Sequence, residues 1–364
     1  MDDKVSKAKS IIKASKLDGM LLINTSLNKL DPNIYYFVGK TFEYCALLFY
    51  KKNVLLTMPR LELGRAREAV KGKDIRLKII DNRNFSELLS SLDVHGRIGI
   101  NHESISLAEF NALKTKDKKL IFSDISSQLH DMRMQKTDAE LQNIRKAAYH
   151  ADKIISGLFG KLKNNKQMRH FKKESDIMDY LNSETRKAGL KTSFKPIVAS
   201  AKNSANPHHD AKDLLGKGFC IIDFGVKYDG YCSDMTRTIY FGTPSKKERE
   251  LYDLVLKSNV ESIRFAERDS RCSDVDKYCK KVLGEYSERF IHGLGHGIGV
   301  EIHEGPTLNS KSKDVIKDNM VFTIEPGIYL PGKYGIRIED DIIMHDGRKE
   351  IITKTSKELF CFDI

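Results

Sequence analysis

The sequence predicts two domains of different class: an α/β domain over residues 1–130, then an α+β domain over residues 131–364. Three observations lead there. A length of 364 residues exceeds what one hydrophobic core usually serves. The first third alternates short, apolar β-rich runs with stretches of helical spacing, the pattern of a mixed sheet flanked by helices. The remainder opens on a long amphipathic pattern and then interleaves long helices with paired strands. That predicts a sheet covered on one face by helices.

In the first domain the strand candidates are 19–23, 35–38, 45–50, 54–58, 77–80 and 98–101. Lys51, Lys52 and Asn53 read as a hairpin turn between two of them. Residues 5–15, 61–70 and 86–92 carry helical spacing. No chemistry shows in this domain, and His95 and His102 read as lone surface histidines. The pattern changes around 123–137. Leu141, Ile144, Ala148, Ala151, Ile155 and Leu158 then mark a long amphipathic helix. A second helix spans 175–188 and stops at Gly189. A third starts at Ser245, where Glu248 completes a capping box, and a fourth starts near Ser273. Strands are expected at 197–199, 219–224, 237–241, 321–324, 336–338 and 342–344.

Composition narrows the function classes. Hydrophobic residues make up 40% and charged residues 31%, which suits a water-soluble chain with a packed core. No run approaches the roughly 18 apolar residues of a membrane span, so no membrane partner is expected. MDDKVSKAKS lacks the apolar segment of a signal peptide, and a cytoplasmic protein is the expectation. The net charge of +12 is spread over lysines along the chain without an arginine block. It reads as a solvated basic surface and not as a nucleic-acid site. Cys45, Cys220, Cys232, Cys272, Cys279 and Cys361 form no CxxC pair and read as reduced, mostly buried thiols.

The stretch 291–306, IHGLGHGIGVEIHEGP, packs His292, His296 and His303 among glycines and apolar residues. Histidine and glycine at that density weaken a plain core strand, so the stretch reads as a metal or proton-transfer site. The segment 219–238, FCIIDFGVKYDGYCSDMTRT, delivers Asp223 at the end of an apolar strand and Asp234 on the return leg. Two acids facing each other across a hairpin repel, and a cation between them resolves that. VFTIEPG at 321–327 ends an apolar strand in Glu325. GIRIEDDI at 335–342 places Arg337 and Glu339 on one face by alternation. Asp223, Asp234, His296, Glu325 and Glu339 together make four carboxylates and one imidazole. That oxygen-rich set suits two divalent cations (Mn, Co, Fe or Zn), not a thiolate metal site. A water shared by two such ions becomes acidic enough to attack an amide, ester or phosphate. His208, in a loop fixed by Pro207, and His303 are the candidates outside the metal shell to assist the reaction. His209 and His345 read as surface, and His292 as a packing or supporting residue.

At this point the sequence resembles the pita-bread metallopeptidases, which include Xaa-Pro dipeptidase (prolidase), aminopeptidase P and methionine aminopeptidase. The resemblance rests on DFG-x7-SD-MTRT at 223–238, GHGIG-x3-HEGP at 295–306, EPG at 325–327 and RIED at 337–340, and covers about 130–364. It implies a creatinase-like α/β domain ahead of a pita-bread catalytic domain, and a homodimer. It also implies two divalent metal ions per subunit. Asp223 would hold one ion, His296 and Glu325 the other, and Asp234 and Glu339 would bridge them. Glu325 would take the proton of a bridging water that becomes the hydroxide nucleophile. His208, His303 and Arg337 would hold the substrate and stabilise the intermediate, with Thr236 supporting a ligand from behind. The N-terminal domain points to the prolidase and aminopeptidase P branch. The expected substrate is then a dipeptide or peptide with proline on the leaving side. The alternatives are aminopeptidase P acting on longer peptides and a non-catalytic binding protein on the same scaffold. The segment from His208 to Asp223 departs from the family pattern by being shorter.

Overall fold

A computed structural model describes residues 3–25, 30–117 and 119–364. The chain divides into two units, Met1–Met132 and Arg133–Ile364. In the first, the apolar runs Cys45–Tyr50 and Asn53–Pro59 pair antiparallel across a turn in which Lys51 takes a φ of 55°. Gly19–Asn24 pairs with the other edge of Cys45–Tyr50. Arg76–Ile80, Arg97–Ile100 and Ile121–Asp124 join in parallel, completing a mixed six-stranded sheet. Helices at Asp3–Ala14, Leu63–Ala69 and Phe85–Ser91 stand where helical spacing placed them.

One expected strand is a helix. Residues 35–38 belong to Pro32–Val38, despite a run of aromatic and β-branched side chains that favours strand. The flanks override that run. The Asp31 side chain accepts from Asn33 N–H, Pro32 occupies the first turn, and Gly39 closes the end with a φ of 80°. The helix Leu107–Lys116 was not anticipated, although Ser106 and Glu109 form a capping box at its start.

The second unit contains two main sheets, each with its own helix pair, where the sequence predicted one sheet. Ile197–Ser200, Gly218–Asp223, Thr236–Phe241 and Cys361–Phe362 form a four-stranded sheet. The helices Asp138–Lys163 and Glu174–Lys187 bury Ile155, Leu158, Ile177 and Leu181 with Ile222 and Ile239 of this sheet. Glu304–Leu308, Gly295–Gly297, Met320–Ile324, Asp340–His345 and Arg348–Ile351 form a five-stranded sheet. Lys246–Phe265 and Cys272–Leu283 bury Leu251, Val255 and Val275 in a core shared with Phe322 and Ile342. The Ser245–Glu248 capping box is present as read. The fold is α+β in this unit and α/β in the first.

Candidate metal centre

Strands with apolar bodies and acidic ends build the site. Asp223 is the last residue of Gly218–Asp223, and Glu325 directly follows Met320–Ile324. His296 is the middle of the short strand Gly295–Gly297. The glycines beside it do not serve turns. A Cβ on Gly295 would stand 2.0 Å from the Thr323 carbonyl oxygen, and one on Gly297 would stand 1.9 Å from that of Gly305. They let neighbouring strands close on the His296 backbone. Two local expectations need correcting. Asp223 faces Thr236 across its ladder, not Asp234, because the backbone around Asp234 leaves regular pairing before Thr236–Phe241 begins. The alternating strand expected over 335–342 is broken at Ile338 and Glu339, between Tyr334–Arg337 and Asp340–His345. Glu339 N–H donates to the Thr236 carbonyl there, and the Arg337 and Glu339 side chains both still reach the site.

The structure brings the five expected residues into one electrostatic cluster. His296 Nε2 lies 3.5 Å from Asp234 Oδ2 and 3.7 Å from Glu325 Oε1. Donor atoms of Asp234, His296 and Glu339 lie within 4.8 Å of one another. Asp223 enters through its charge, which raises the pKa values of Asp234, Glu325 and Glu339. Burial, then Glu339 and Asp223, pushes the Asp234 carboxyl well above the carboxylate range. Burial and Glu339 do the same to Glu325. Burial and Asp223 push Glu339 up to about 8. Burial and His303 push His296 down to about 4, which favours a neutral imidazole.

A divalent cation fits this arrangement. Asp223 Oδ1 and Asp234 Oδ1 are buried without a hydrogen-bond partner among the described residues. Such atoms need a proton or a metal. With the tautomer that donates Nδ1–H to the Gly297 carbonyl at 3.1 Å, the Nε2 lone pair of His296 faces the carboxylates. That is how a metal-binding imidazole is oriented. Thr236 Oγ donates to Glu339 Oε2 at 2.7 Å and accepts from Arg337 Nε at 3.1 Å, the supporting place expected of it.

Arg337 is buried behind the site. Its Nη2 donates to Asp223 Oδ2 at 2.6 Å and its Nη1 to the Tyr329 hydroxyl at 2.8 Å. With Nε on Thr236, each of its three nitrogens makes a contact with a protein group, and that on Asp223 orients the carboxylate. His208 and His303 have exposed side chains; the His303 ring stands 4.4 Å from that of His296.

Several participants were missed. The Tyr329 hydroxyl donates to His292 Nε2 at 2.9 Å, and His292 Nδ1 is 3.8 Å from Glu325 Oε2, which places the supporting His292 against the cluster. Asp341 Oδ2 accepts from the Asp234 backbone at 2.9 Å. Arg133 and Lys136 are buried beside Glu304, at 3.6 and 3.5 Å, under the stretch that carries His303. Tyr329 lies four residues past Glu325 on the strand after the Pro-Gly turn, a position where a polar side chain in an apolar run was the available signal. His209 is not a surface residue. Its side chain is 10% exposed and bonds Glu174 at 2.7 Å. His345 is half-exposed and bonds Asn319.

Comparison with known proteins decides the family. Residues 142–346 match metallopeptidase family M24, and residues 4–135 match the creatinase/prolidase N-terminal domain. The chain belongs to metallopeptidase family M24. A protein named Xaa-Pro dipeptidase from Pyrococcus furiosus is 32% identical over 90% of this M24 chain and 92% of its own length. The solved Xaa-Pro dipeptidase of Bacillus anthracis superposes with a TM-score of 0.87 at 30% identity, covering 99% of both chains. An X-Pro aminopeptidase from Thermotoga maritima superposes with a TM-score of 0.86 at 29% identity, over 98% of this chain and 99% of its own. No helix among the described residues of this M24 protein is long and apolar enough to cross a membrane.

Proposed function

We propose that this M24 chain is a dinuclear Xaa-Pro dipeptidase, a prolidase. The observation that carries the reading is the cluster of three buried carboxylates, Asp223, Asp234 and Glu339, with the partly buried Glu325, around one imidazole whose Nε2 faces Asp234 and Glu325, in a chain 32% identical to an Xaa-Pro dipeptidase. Asp223 would hold one divalent ion, His296 and Glu325 a second, and Asp234 and Glu339 both. Mn, Co, Fe and Zn all match this donor set. Bound there, the ions supply an acidified water and a Lewis acid for the scissile carbonyl.

The protein's own residues do the rest. Glu325, beside His296 and His292, takes a proton from the attacking water and returns it to the departing nitrogen. That return matters for proline, because its nitrogen is a tertiary amide with no proton of its own. Arg337 holds Asp223 in place, and Thr236 holds Glu339. His208 and His303, exposed at the mouth, bind the peptide and stabilise the tetrahedral intermediate. The resemblance further implies a homodimer. Six cysteines with no disulfide among them suit the reducing cytoplasm, where we place the chain.

The second reading is an Xaa-Pro aminopeptidase acting on longer peptides, favoured by the nearly equal likeness to the Thermotoga maritima enzyme. Assays of Ala-Pro and Ala-Pro-Ala with the metal-loaded protein separate the two. Cleavage of the dipeptide supports the prolidase; rapid cleavage of the tripeptide alone rejects it. A non-catalytic binding protein would cleave neither.

A further inference from the structure

Glu174 opens the helix Glu174–Lys187 and is completely buried. A carboxylate in that position is tolerated only with partners, so its partners show its purpose. All of them come from one stretch, residues 200–213. Ser200 donates its backbone N–H at 2.7 Å and its hydroxyl at 3.0 Å to Oε1, and the Asn203 amide donates to the same oxygen at 3.0 Å. His209 Nε2 donates to Oε2 at 2.7 Å, and Asp213 N–H reaches that oxygen at 3.3 Å. Glu174 N–H returns a bond to the Asp213 carbonyl at 3.0 Å. The stretch is wound around one carboxylate.

His208 lies inside that winding. Its backbone N–H is held by Asn206 Oδ1 at 3.2 Å and its side chain is exposed, and the same stretch is tied to the strand that carries Arg337, where Ser204 Oγ accepts from Gly335 N–H at 2.8 Å. The backbone therefore sets the point from which its ring reaches out. Of the side chains on Glu174, that of His209 is next to His208 in the chain.

Glu174, His209 and Asp213 also lie close enough to one another to surround a cation. The chemistry argues for a clasp. Both Glu174 oxygens already accept hydrogen bonds, and the His209 nitrogen nearest them is spent as a donor. Asp213 is half-exposed and accepts from Asn203 at 2.9 Å.

We infer that His209, anchored on Glu174, is a positioning residue that fixes His208 at the mouth of the metal centre. The inference rests on the substrate-binding role given to His208 above. The neighbouring loop thereby gains a rigid corner from one imidazole–carboxylate contact, at a residue that itself never meets the peptide.

The test is a double-mutant cycle on the metal-loaded full chain, read by Ala-Pro kinetics and by amide hydrogen exchange. His209→Leu removes the donor; His209→Gln keeps an N–H near the place of Nε2. We expect His209→Leu to lower kcat/KM by about tenfold to a hundredfold, mainly through KM, and His209→Gln to restore most of it. In a His208→Ala background, His209→Leu should cost less than about twofold more. Exchange of residues 203–213 should rise by at least about tenfold in His209→Leu, while that of Gly218–Asp223 holds. Losses that multiply independently overturn the inference and leave the peptidase reading intact. Unchanged exchange overturns it whether or not any peptide is cleaved. A divalent ion bound to wild type but absent from His209→Leu, beyond those of the main centre, also overturns it, by showing a cation site. Absence of any Xaa-Pro cleavage by wild type is a failure of the peptidase reading, and is seen separately.

Discussion

Thr236→Val tests whether the support behind the cluster matters as much as the ligands do. Valine keeps the shape of a fully buried threonine and removes only its hydroxyl. That hydroxyl donates to Glu339 Oε2 at 2.7 Å and accepts from Arg337 Nε at 3.1 Å. A hydrogen bond to a charged group contributes about 1.5–3 kcal/mol. At about 1.4 kcal/mol per decade, losing the bond to Glu339 weakens metal binding by roughly tenfold to a hundredfold. Glu339 would touch both ions, so both affinities should fall together. Competition with a fluorescent chelator measures each affinity. With metal restored to saturation, most of the Ala-Pro activity should return. Affinities within about twofold of wild type would refute the reasoning. A fall in only one of them would remove Glu339 from its bridging place.

The raised carboxyls make two further outcomes measurable. Asp234, Glu325 and Glu339 have folded pKa values above their unfolded ones, and Glu339, at about 8, keeps at pH 7 a proton that the unfolded chain has released. Metal binding must expel it. Titration calorimetry in buffers of different ionisation enthalpy should therefore show heats that vary with the buffer, and equal heats would contradict the cluster. By the same sign, the metal-free protein loses stability from these groups as pH rises from the unfolded carboxyl range, with Glu339 still contributing up to about 8. Urea midpoints with and without metal should diverge over that interval, and parallel curves would be contrary. Finally, Cys361 is exposed while Cys45, Cys220, Cys232, Cys272 and Cys279 are buried. A thiol reagent should label one cysteine quickly in the native protein and all six after denaturation.

Much of the catalytic half was legible because its signals are local. The four expected carboxylate ligands lie at or near the ends of apolar strands, and Asp223, His296 and Glu325 carry their glycine or Pro-Gly neighbours with them. The capping box at Ser245 fixed a helix start in the same way. What failed was either overridden locally or decided at a distance. Tyr35, Tyr36 and Phe37 look like a strand until Asp31, Pro32 and Gly39 are weighed as caps. His209 looks like a loop histidine because its partner, Glu174, is thirty-five residues away in the chain. The alternation of Arg337 with Glu339 is visible in the sequence, whereas its bonds to Asp223 and Tyr329 are not. The two-sheet arrangement escaped notice for the same reason. Strand pairing across long separations leaves no periodic mark in the sequence.

The central claim is a metal centre whose carboxylates are shared between ions and without which no peptide is cleaved. Metal content per chain after exhaustive dialysis and reloading, measured beside Ala-Pro cleavage for wild type and Asp234→Asn, tests it most directly. We expect two divalent ions and metal-dependent cleavage in wild type, and at least one ion and nearly all activity lost in Asp234→Asn. A wild-type protein that holds no stoichiometric metal, or an Asp234→Asn protein that keeps both ions and its activity, would contradict it.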